Sequence, residues 1–176
     1  KSGEWKSVWI HLLDKHRLEL DMSSVDLDGS HTTALRGGGE VGYQGHKKRK
    51  TTNILYLTDR QGIPLAMSSP KSGEHHDVHD IEYVIEGMLE DLGKAKIRID
   101  GLFLNADAGF DCDALRNIFQ QKEITANICI NKRRENSDCI LVDDELYAER
   151  YSIERTNAWM DSFRTILNRF DTTVSS

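Results

Sequence analysis

The sequence has few cysteines and no long apolar run. Its three cysteines, Cys112, Cys129 and Cys139, are an odd number, and no two of them have CxxC spacing. This argues against a disulfide framework and against a zinc cluster, and it favours a reducing cytoplasm. No apolar run is long enough to cross a bilayer, and the first residues lack the pattern of a signal peptide. We therefore expect no membrane partner.

The composition is that of a folded, soluble domain. The chain has 176 residues, of which 38% are hydrophobic and 30% are charged, so it can bury a sizeable core. It contains no internal repeat and no low-complexity segment. The net charge of −6 gives little support to generic nucleic-acid binding, although local patches of charge matter more than the sum.

The two ends of the chain suggest a fragment of a longer protein. Residues 5–13 carry large apolar side chains at helical spacing: Trp5, Val8, Trp9, Leu12 and Leu13. This amphipathic helix would pack either on the rest of the chain or on a region that precedes it. Because the chain starts at Lys1 and stops at "TTVSS" after a helical pattern, we expect an N-terminal helix or linker over 1–20. A main domain, truncated at its C-terminus, would cover 21–176.

The first half of the main domain reads as strands. One strand is predicted over about 22–34, followed by a glycine-rich loop over 36–50 that is mobile and basic at its end. The segments "TTNILYLT" and "IPLAMS" are predicted strands, and "DRQG" between them has the composition of a turn. These three strands would form an antiparallel meander.

A helix is predicted to open at "GEHHDVHD", with Asp77 as its N-cap and an end at Gly93. Its apolar stripe comprises Val78, Ile81, Val84, Ile85, Met88, Leu89 and Leu92. The neighbouring His75, His76 and His79 could suggest a transition-metal site. We favour a plain helix start, since no matching ligand pair occurs elsewhere in the sequence.

The second half alternates strands and helices. The run "GLFLNAD" predicts a buried strand that ends at Asp107, a helix follows from about Asp111, and "ITANICI" is another strand. After a charged loop, one long final helix is predicted from its apolar positions: Ile153, Thr156, Met160, Phe163, Leu167 and Phe170. Strands joined through helices indicate parallel crossovers, so we predict a mixed sheet of about five strands flanked by helices on both faces.

Acidic residues recur on one side of this sheet. Asp26 and Asp28 alternate with Val25 and Leu27 and therefore share a strand face, which is either solvated or a metal site. Asp107 ends its own strand, where the chemistry of α/β sheets gathers.

The final helix offers a third carboxylate. Glu154 lies off the apolar stripe, on the side of Asn157 and Asp161. Three converging carboxylates would repel one another, and oxygen-binding cations such as Mg²⁺ remove that repulsion.

Three segments resemble the catalytic core of DDE transposases from bacterial insertion sequences: "VDLDGSHTTALRGG", "LNADAGFD" and "YAERYSIERTNAWMDSFRTILNRFD". The last segment carries the family's most specific signature, a Tyr, two residues, an Arg, three residues and a Glu. Tyr147, Arg150 and Glu154 match it. The family usually has Lys or Arg where this chain has Asp161, and Arg155 or Arg164 could replace that basic contact to DNA.

The resemblance implies an RNase H-like fold over 21–176 and a catalytic, metal-binding triad of Asp28, Asp107 and Glu154. Asp28 matches the family's Asp followed by a small and a hydroxyl residue, here "DGS", although Asp26 on the same face stays an alternative. The cofactor would be Mg²⁺ or Mn²⁺, as two ions ~4 Å apart.

Basic residues are the candidates for binding DNA phosphates. Lys47, Lys48, Arg49 and Lys50 form one run, and each would add to a salt-dependent affinity. Arg150 and Arg155 flank the predicted Glu154. Lys132, Arg133 and Arg134 form a weaker second run. Trp159 is expected to have a packing role, with stacking on a displaced base at the cleavage site as the minority alternative.

The implied function is cleavage and joining of double-stranded DNA at insertion-sequence ends. The partners would be transposon-end and target DNA, and a homo-oligomer would assemble on them, in the bacterial cytoplasm at the nucleoid. One alternative is an RNase H-like nuclease without strand transfer. The other is an inactive DNA-binding remnant.

Overall fold

The computed structural model describes residues 3–131, 142–148 and 150–173. The predicted basic run at Lys132, Arg133 and Arg134 therefore lies outside the described residues. The strands are β1 Val25–Ala34, β2 Gly42–Gln44, β3 Arg49–Asp59, β4 Pro64–Met67, β5 Lys71–Ser72, β6 Phe103–Ala106, β7 Thr125–Ile128 and β8 Asn168–Arg169. The helices are α1 Glu4–His16, α2 Ile81–Lys94, α3 Asp113–Gln121, α4 Asp144–Ala148, α5 Tyr151–Asp161 and α6 Arg164–Leu167, with a 3₁₀ turn at Ala108–Phe110.

All the described strands belong to one mixed sheet, whose central order is β2-β3-β1-β6-β7. Strand β3 pairs antiparallel with β1, β2, β4 and β5, whereas β1, β6 and β7 run parallel to one another. Antiparallel strands followed by parallel strands, with helices on the faces, confirm the predicted RNase H-like architecture. The predicted number of five strands was too low, because β2, β5 and β8 were not foreseen.

The glycine-rich segment 36–50 is not a loop throughout, as the sequence had suggested. Gly42 pairs with Thr51, and Gln44 pairs with Arg49, so that β2 and β3 form a hairpin with a basic turn. A Cβ at Gly42 would lie 2.2 Å from Oγ of Ser72. Glycine is therefore what lets β5 approach the hairpin closely.

The predicted single long final helix is wrong. Helix α5 ends at Asp161, and after the short α6 the chain adds β8, which runs parallel to the end of β1. The physical reason lies in the sheet: β6 pairs with β1 only over Val25–Leu27, which leaves the far half of that edge open. An open strand edge presents unpaired backbone groups, and β8 pairs with the last two residues of this edge, Thr33 and Ala34.

The main core lies on one face of the sheet, beneath α1, α2 and α3. Its largest fully buried side chains include Leu27, Leu57, Met88, Leu115 and Phe119. A fully buried side chain of this size stabilises the fold by about 1.5–3 kcal/mol. This face therefore supplies most of the apolar stabilisation, and the opposite face is free to carry polar residues.

Helix α1 packs on this domain through only part of its predicted apolar face. Leu13 is buried in the core, as expected, and Lys6 forms an ion pair of 2.5 Å with Asp91 of α2. The other four residues of the predicted face are exposed: Trp5, Val8, Trp9 and Leu12. The division into 1–20 and 21–176 stays a prediction.

Helix α2 begins later than predicted, and Asp77 is not its cap. Two turns precede the helix, whose N-cap residue is Asp80 in a left-handed conformation (φ 50°). The carboxylate of Asp77 instead accepts a hydrogen bond of 2.6 Å from Nδ2 of the buried Asn53 on β3. Because this side chain binds to the sheet, it is not available to cap the helix.

No described helix is long and apolar enough to cross a membrane.

Candidate active site

Strand β1 separates its apolar and acidic residues onto the two faces of the sheet. Val25 and Leu27 are fully buried in the main core, whereas Asp26 and Asp28 contact α5 on the opposite face. The predicted alternation is therefore confirmed. The acidic face of β1 is not a solvated surface, because a helix covers it.

Asp107 lies on the same face as these two aspartates. The register of β1 and β6 pairs Asp26 with Asn105, and Asp107 comes two residues after Asn105. Its backbone is still extended (φ −74°, ψ 171°), so its side chain stays on the face of Asn105. Continued by one step, the register brings Asp107 beside Asp28.

Asp26 is 1% exposed, and both of its carboxylate oxygens accept hydrogen bonds from side chains. Nδ2 of Asn105 donates to Oδ1 across 3.0 Å, and the hydroxyl of Ser152 on α5 donates to Oδ2. Both oxygens of this enclosed carboxylate are thus already bonded to protein groups. Of the two alternatives left open by the sequence, Asp28 is the better placed for a metal ion.

Asp28 is only partly buried, and its two hydrogen bonds come from different elements. The backbone N–H of Gly29 donates to Oδ1, and Nδ2 of Asn157 on α5 donates to Oδ2, each across 2.9 Å. Burial raises the pKa of Asp28 above its usual range, and repulsion from Asp107 adds to the rise. The Gly29 N–H and the charge of Arg150 lower the same pKa, but by less. Without a cation, the charged form of this carboxyl is disfavoured.

Asp107 caps the 3₁₀ turn that follows β6. Its Oδ1 accepts a hydrogen bond of 2.7 Å from the backbone N–H of Gly109, and a Cβ at Gly109 would lie 2.8 Å from that oxygen. The small residue thus lets the turn fold tightly around the carboxylate. The side chain remains partly exposed at the carboxyl end of its strand, where ligands bind in α/β sheets.

Helix α5 rests on the acidic face through polar contacts. Besides Ser152 and Asn157, its Thr156 hydroxyl donates a hydrogen bond of 2.7 Å to the carbonyl of Gly62. Ile153 and Met160 are buried beneath it. By their spacing, these polar and apolar residues share one face of α5, and that face fixes the helix to the sheet.

Glu154 lies on this helix between Ser152 and Asn157, but its side chain is exposed. Within the described part of the chain, no three His, Cys, Asp or Glu side chains are close enough to hold one metal ion. The structure thus brings Asp28 and Asp107 together and does not gather Glu154 with them. The triad itself stays a prediction.

Arg150 and Tyr147 of the signature contact each other where α5 begins. Nη1 of Arg150 donates a hydrogen bond of 3.2 Å to the Tyr147 hydroxyl, and the guanidinium lies 5.3 Å from the ring centroid. The same guanidinium lowers the pKa of Asp28, so it lies near the acidic site. The fixed spacing of the signature therefore orients a cation beside the first carboxylate.

Arg155 and Trp159 lie on the outer side of α5. Nη2 of Arg155 donates a hydrogen bond of 2.9 Å to the carbonyl of Gln61, and its guanidinium lies 5.5 Å from the Tyr151 ring centroid. Trp159 is 58% exposed, and its ring meets the edge of Phe163 with centroids 5.2 Å apart. The predicted packing of Trp159 is therefore limited to a local contact with Phe163, because this position on the helix is largely exposed.

The basic run lies on the β2–β3 hairpin. Lys47 and Lys48 belong to the turn, where Lys48 has a left-handed backbone (φ 50°), and Arg49 and Lys50 begin β3. All four side chains are exposed. The hairpin pairs with the end of β1 at Thr33, and therefore lies at the opposite end of that strand from Val25.

The histidines before α2 do not form a metal site with their neighbours in the described residues. The rings of His75 and His79 stack with centroids 4.0 Å apart.

Asp77 lies against Gly29, where a Cβ would be only 2.5 Å from its Oδ1. Its role is to fill the space that this glycine leaves on the core face of β1.

Several residues of the site were missed by the sequence reasoning. Asn105 lies two residues before Asp107, a spacing that predicts the same strand face. Ser152 and Asn157 flank Glu154, and the side shared by Asn157 and Glu154 was visible in the helical spacing. The hydrogen bonds that these residues make with Asp26 and Asp28 could not be read from the sequence, since they depend on how α5 packs.

The residues present fit a divalent cation of the magnesium type. Asp28 and Asp107 supply carboxylate oxygens, which are the ligands that Mg²⁺ prefers. Nearby, Oδ1 of Asn157 and Nε of Arg150 are buried without a hydrogen-bond partner in the described structure. Buried polar atoms without partners point to a water, ion or substrate that would satisfy them.

The chain matches one family model, described as the transposase DDE domain, over residues 19–173. A search of curated proteins found no match. Among solved structures, the chain is similar to a piggyBac transposase synaptic complex with hairpin DNA, at 15% identity and a TM-score of 0.47. That match covers 68% of this chain and 27% of the other.

Two Mos1 transposase structures are also similar. The paired-end complex with the left transposon end is 11% identical, with a TM-score of 0.44, and the match covers 89% of this chain and 59% of that one. The Mos1 catalytic domain with Raltegravir and Mg is 11% identical, with a TM-score of 0.46, and 97% of each chain is covered. The chain thus spans about a quarter to three fifths of the first two transposases. By its match to the family model over most of its length, it belongs to the transposase DDE domain family.

Proposed function

We propose that residues 21–176 are the catalytic core of a bacterial insertion-sequence transposase, which cleaves and joins DNA at the ends of its element. One observation carries the proposal. Asp28 and Asp107 each come directly after the stretch over which the parallel strands β1 and β6 pair, on the face of the sheet that α5 covers. Glu154 of that helix would complete the site when DNA and metal are bound.

The proposed cofactor is Mg²⁺ or Mn²⁺, as two ions held by Asp28, Asp107 and Glu154. When bound, such ions activate an attacking oxygen and stabilise the leaving oxygen of a phosphodiester. Burial and, to a smaller extent, repulsion from Asp107 raise the pKa of Asp28, and this supports the proposal because a bound cation would favour the charged form of Asp28.

The protein's own groups would orient the DNA strand. Arg150 is fixed by Tyr147 beside Asp28, so its guanidinium is available to a phosphate near the cleaved bond. Asn157 would hold the Asp28 carboxylate in place before binding. Positioning of this kind accounts for much of the catalysis of phosphoryl transfer, since charge spreads over the phosphoryl oxygens.

The basic turn would contact the DNA at a distance from the chemistry. Thr33 follows Asp28 by five residues along β1, which is about 17 Å at ~3.4 Å per residue. That length corresponds to about five base pairs of duplex. Lys47, Lys48 and Arg49 would therefore bind phosphates inside the element's end, and Arg155 would bind one nearer to Glu154.

The proposed reaction has two steps. A water oxygen bonds to the phosphorus at the element's end and the 3′ oxygen leaves, which frees a 3′-hydroxyl. This hydroxyl then attacks a phosphodiester of the target, and the displaced 3′ oxygen of the target leaves in line. The enzyme would act as a homo-oligomer assembled on both ends, in the bacterial cytoplasm at the nucleoid.

The test is cleavage and joining by the full-length protein on a duplex that carries the element's own end, with Mg²⁺, Mn²⁺ or a chelator. We expect metal-dependent cleavage and a joined product. Asp28→Asn, Asp107→Asn and Glu154→Gln should each abolish both. Cleavage without any joined product would favour a nuclease that lacks strand transfer. DNA binding without cleavage in either metal would favour an inactive remnant.

A further inference from the structure

A chain of buried hydrogen bonds crosses the sheet beneath the candidate site. It starts at the Ser152 hydroxyl of α5, passes through the carboxylate of Asp26 and reaches Nδ2 of Asn105. Oδ1 of Asn105 accepts from Nδ2 of Asn127 across 2.8 Å, and the Asn127 side chain bonds both the N–H and the carbonyl of Asp143. This polar chain therefore links α5, three parallel strands and the segment that leads into α4.

Water is almost completely excluded from the polar chain. Asp26, Asn105, Asn127 and Ser152 are each exposed by 2% or less. Apolar residues of similar size would pack here without the desolvation cost of a carboxylate and two amides. What apolar packing would lack is direction, because a hydrogen bond fixes both the distance and the orientation of the groups that it joins.

The contact at Ser152 acts close to Glu154. A slide of α5 by one residue would move the helix by about 1.5 Å and rotate its side chains by about 100°. Ser152 bonds Asp26 on one side of Glu154 in sequence, and Asn157 bonds Asp28 on the other. Asp26 and Asp28 are neighbours on the same face of β1. The two contacts together therefore allow α5 only one position along the strand.

We propose that Asp26 is a positioning residue: it anchors α5 through Ser152 at the register in which Glu154 can reach a metal ion held by Asp28 and Asp107. This inference rests on the proposed function of the site. It also assigns Asp26, the first acid of "VDLD", a role of its own, distinct from that of a metal ligand.

The variants are made in the full-length protein. Asp26→Asn can keep both contacts, because its Oδ1 still accepts from Asn105 and its Nδ2 can donate to the Ser152 oxygen. Asp26→Ala and Ser152→Ala each break the anchor. Leu115→Ala is the matched control, since it opens a cavity in the core on the other face of the sheet without touching α5.

Two quantities are measured for each variant. The first is the rate of DNA cleavage as Mn²⁺ is varied, together with the affinity for DNA. The second is the binding of Mn²⁺ alone, followed by electron paramagnetic resonance of the free ion. Loss of the anchor should reduce cleavage and Mn²⁺ affinity about 10- to 100-fold and leave DNA affinity unchanged, as is typical when the support of a metal ligand is removed. Asp26→Asn should keep most of the wild-type cleavage rate and most of the wild-type Mn²⁺ affinity. Leu115→Ala should leave the Mn²⁺ dependence of cleavage as in the wild type.

Two results would overturn the proposal. If Asp26→Asn were as inactive as Asp28→Asn and bound Mn²⁺ as weakly, Asp26 would be a metal ligand itself. If Ser152→Ala matched the wild type in both measurements, the anchor would be unnecessary. Failure of the wild type to cleave DNA would contradict the proposed function instead, and the Mn²⁺ binding series would still decide the role of Asp26.

Discussion

The side-chain amide of Asn157 donates a hydrogen bond of 2.9 Å from Nδ2 to Oδ2 of Asp28, and this bond ties α5 to β1. The other atom of the amide, Oδ1, is buried without a hydrogen-bond partner in the described structure. Asn157 thus supports the first carboxylate of the candidate site and has one unused acceptor beside it. Despite this hydrogen bond, burial raises the pKa of Asp28 above its usual range.

Asp28→Asn should stabilise the metal-free protein near neutral pH. Because the pKa of Asp28 is raised in the folded state, the native protein binds more protons than the unfolded chain between the ordinary pKa and the raised one. Stability therefore falls as pH rises through this window, and above it the ionised carboxyl costs stability. Asparagine removes that cost, and rotation of the Asn157 amide lets its free Oδ1 accept the new N–H. Urea unfolding at a series of pH values, with chelator present, measures the difference.

Asp21→Asn is the control of opposite sign. Hydrogen bonds from the hydroxyl and N–H of Ser23 lower the pKa of Asp21, so its charged form is favoured in the folded state. Its contribution is present above the ordinary pKa and lost as pH falls through the lowered one. This variant should thus be slightly less stable at neutral pH. Equal effects of the two substitutions would contradict the account of Asp28.

Replacing Lys47, Lys48, Arg49 and Lys50 with Gln should weaken DNA binding and flatten its dependence on salt. Each phosphate contact that is lost lowers the slope of log K against log salt by about 0.9 for duplex DNA. The measurement is fluorescence anisotropy of a labelled element end at several salt concentrations.

A control variant replaces two cations that are already paired with carboxylates. Lys94 bonds Glu90 across 3.0 Å, and Lys96 bonds Asp14 across 2.7 Å. Their replacement with Gln should leave the salt slope unchanged. If the hairpin variant kept the wild-type slope as well, the basic turn would be a solvated surface only.

Gly62→Ala should destabilise the protein where α5 packs against Gly62. Gly62 has a left-handed backbone (φ 87°), and a Cβ there would lie 2.5 Å from Oγ1 of Thr156. Strain and the clash together should cost about 1–3 kcal/mol of unfolding free energy. Gly87→Ala within α2 is the control, since a Cβ there has open space. It should stabilise the protein by about 0.5–1 kcal/mol. Urea midpoints that move in the same direction for both would contradict this view of the contact between Gly62 and α5.

The sequence predicted those features that depend on local periodicity. The alternation in β1 located Val25 and Leu27 in the core and the two aspartates on the other face, and the apolar stripe of α2 was correct from Ile81 onward. Each of these follows from the spacing of residues within one element.

What the sequence did not predict depends on packing between distant elements. Asp77 looks like a helix cap, but Asn53 on β3 binds its carboxylate. The final helix breaks after Asp161 because the open edge of β1 takes up β8. Asp26 and Asp28 are equivalent in periodicity, and they differ in burial and in their partners, which are Ser152 and Asn105 for Asp26 and Asn157 for Asp28. No local pattern contains these long-range partners.

The central claim is that Asp28 and Asp107 hold a catalytic metal ion, and the most direct test is a crystal of this protein soaked in Mn²⁺. Anomalous scattering at the manganese edge would locate the ion independently of any activity. We predict a peak about 2.1 Å from a carboxylate oxygen of both Asp28 and Asp107. A crystal with manganese bound only elsewhere, and none between these two carboxylates at saturating Mn²⁺, would contradict the account.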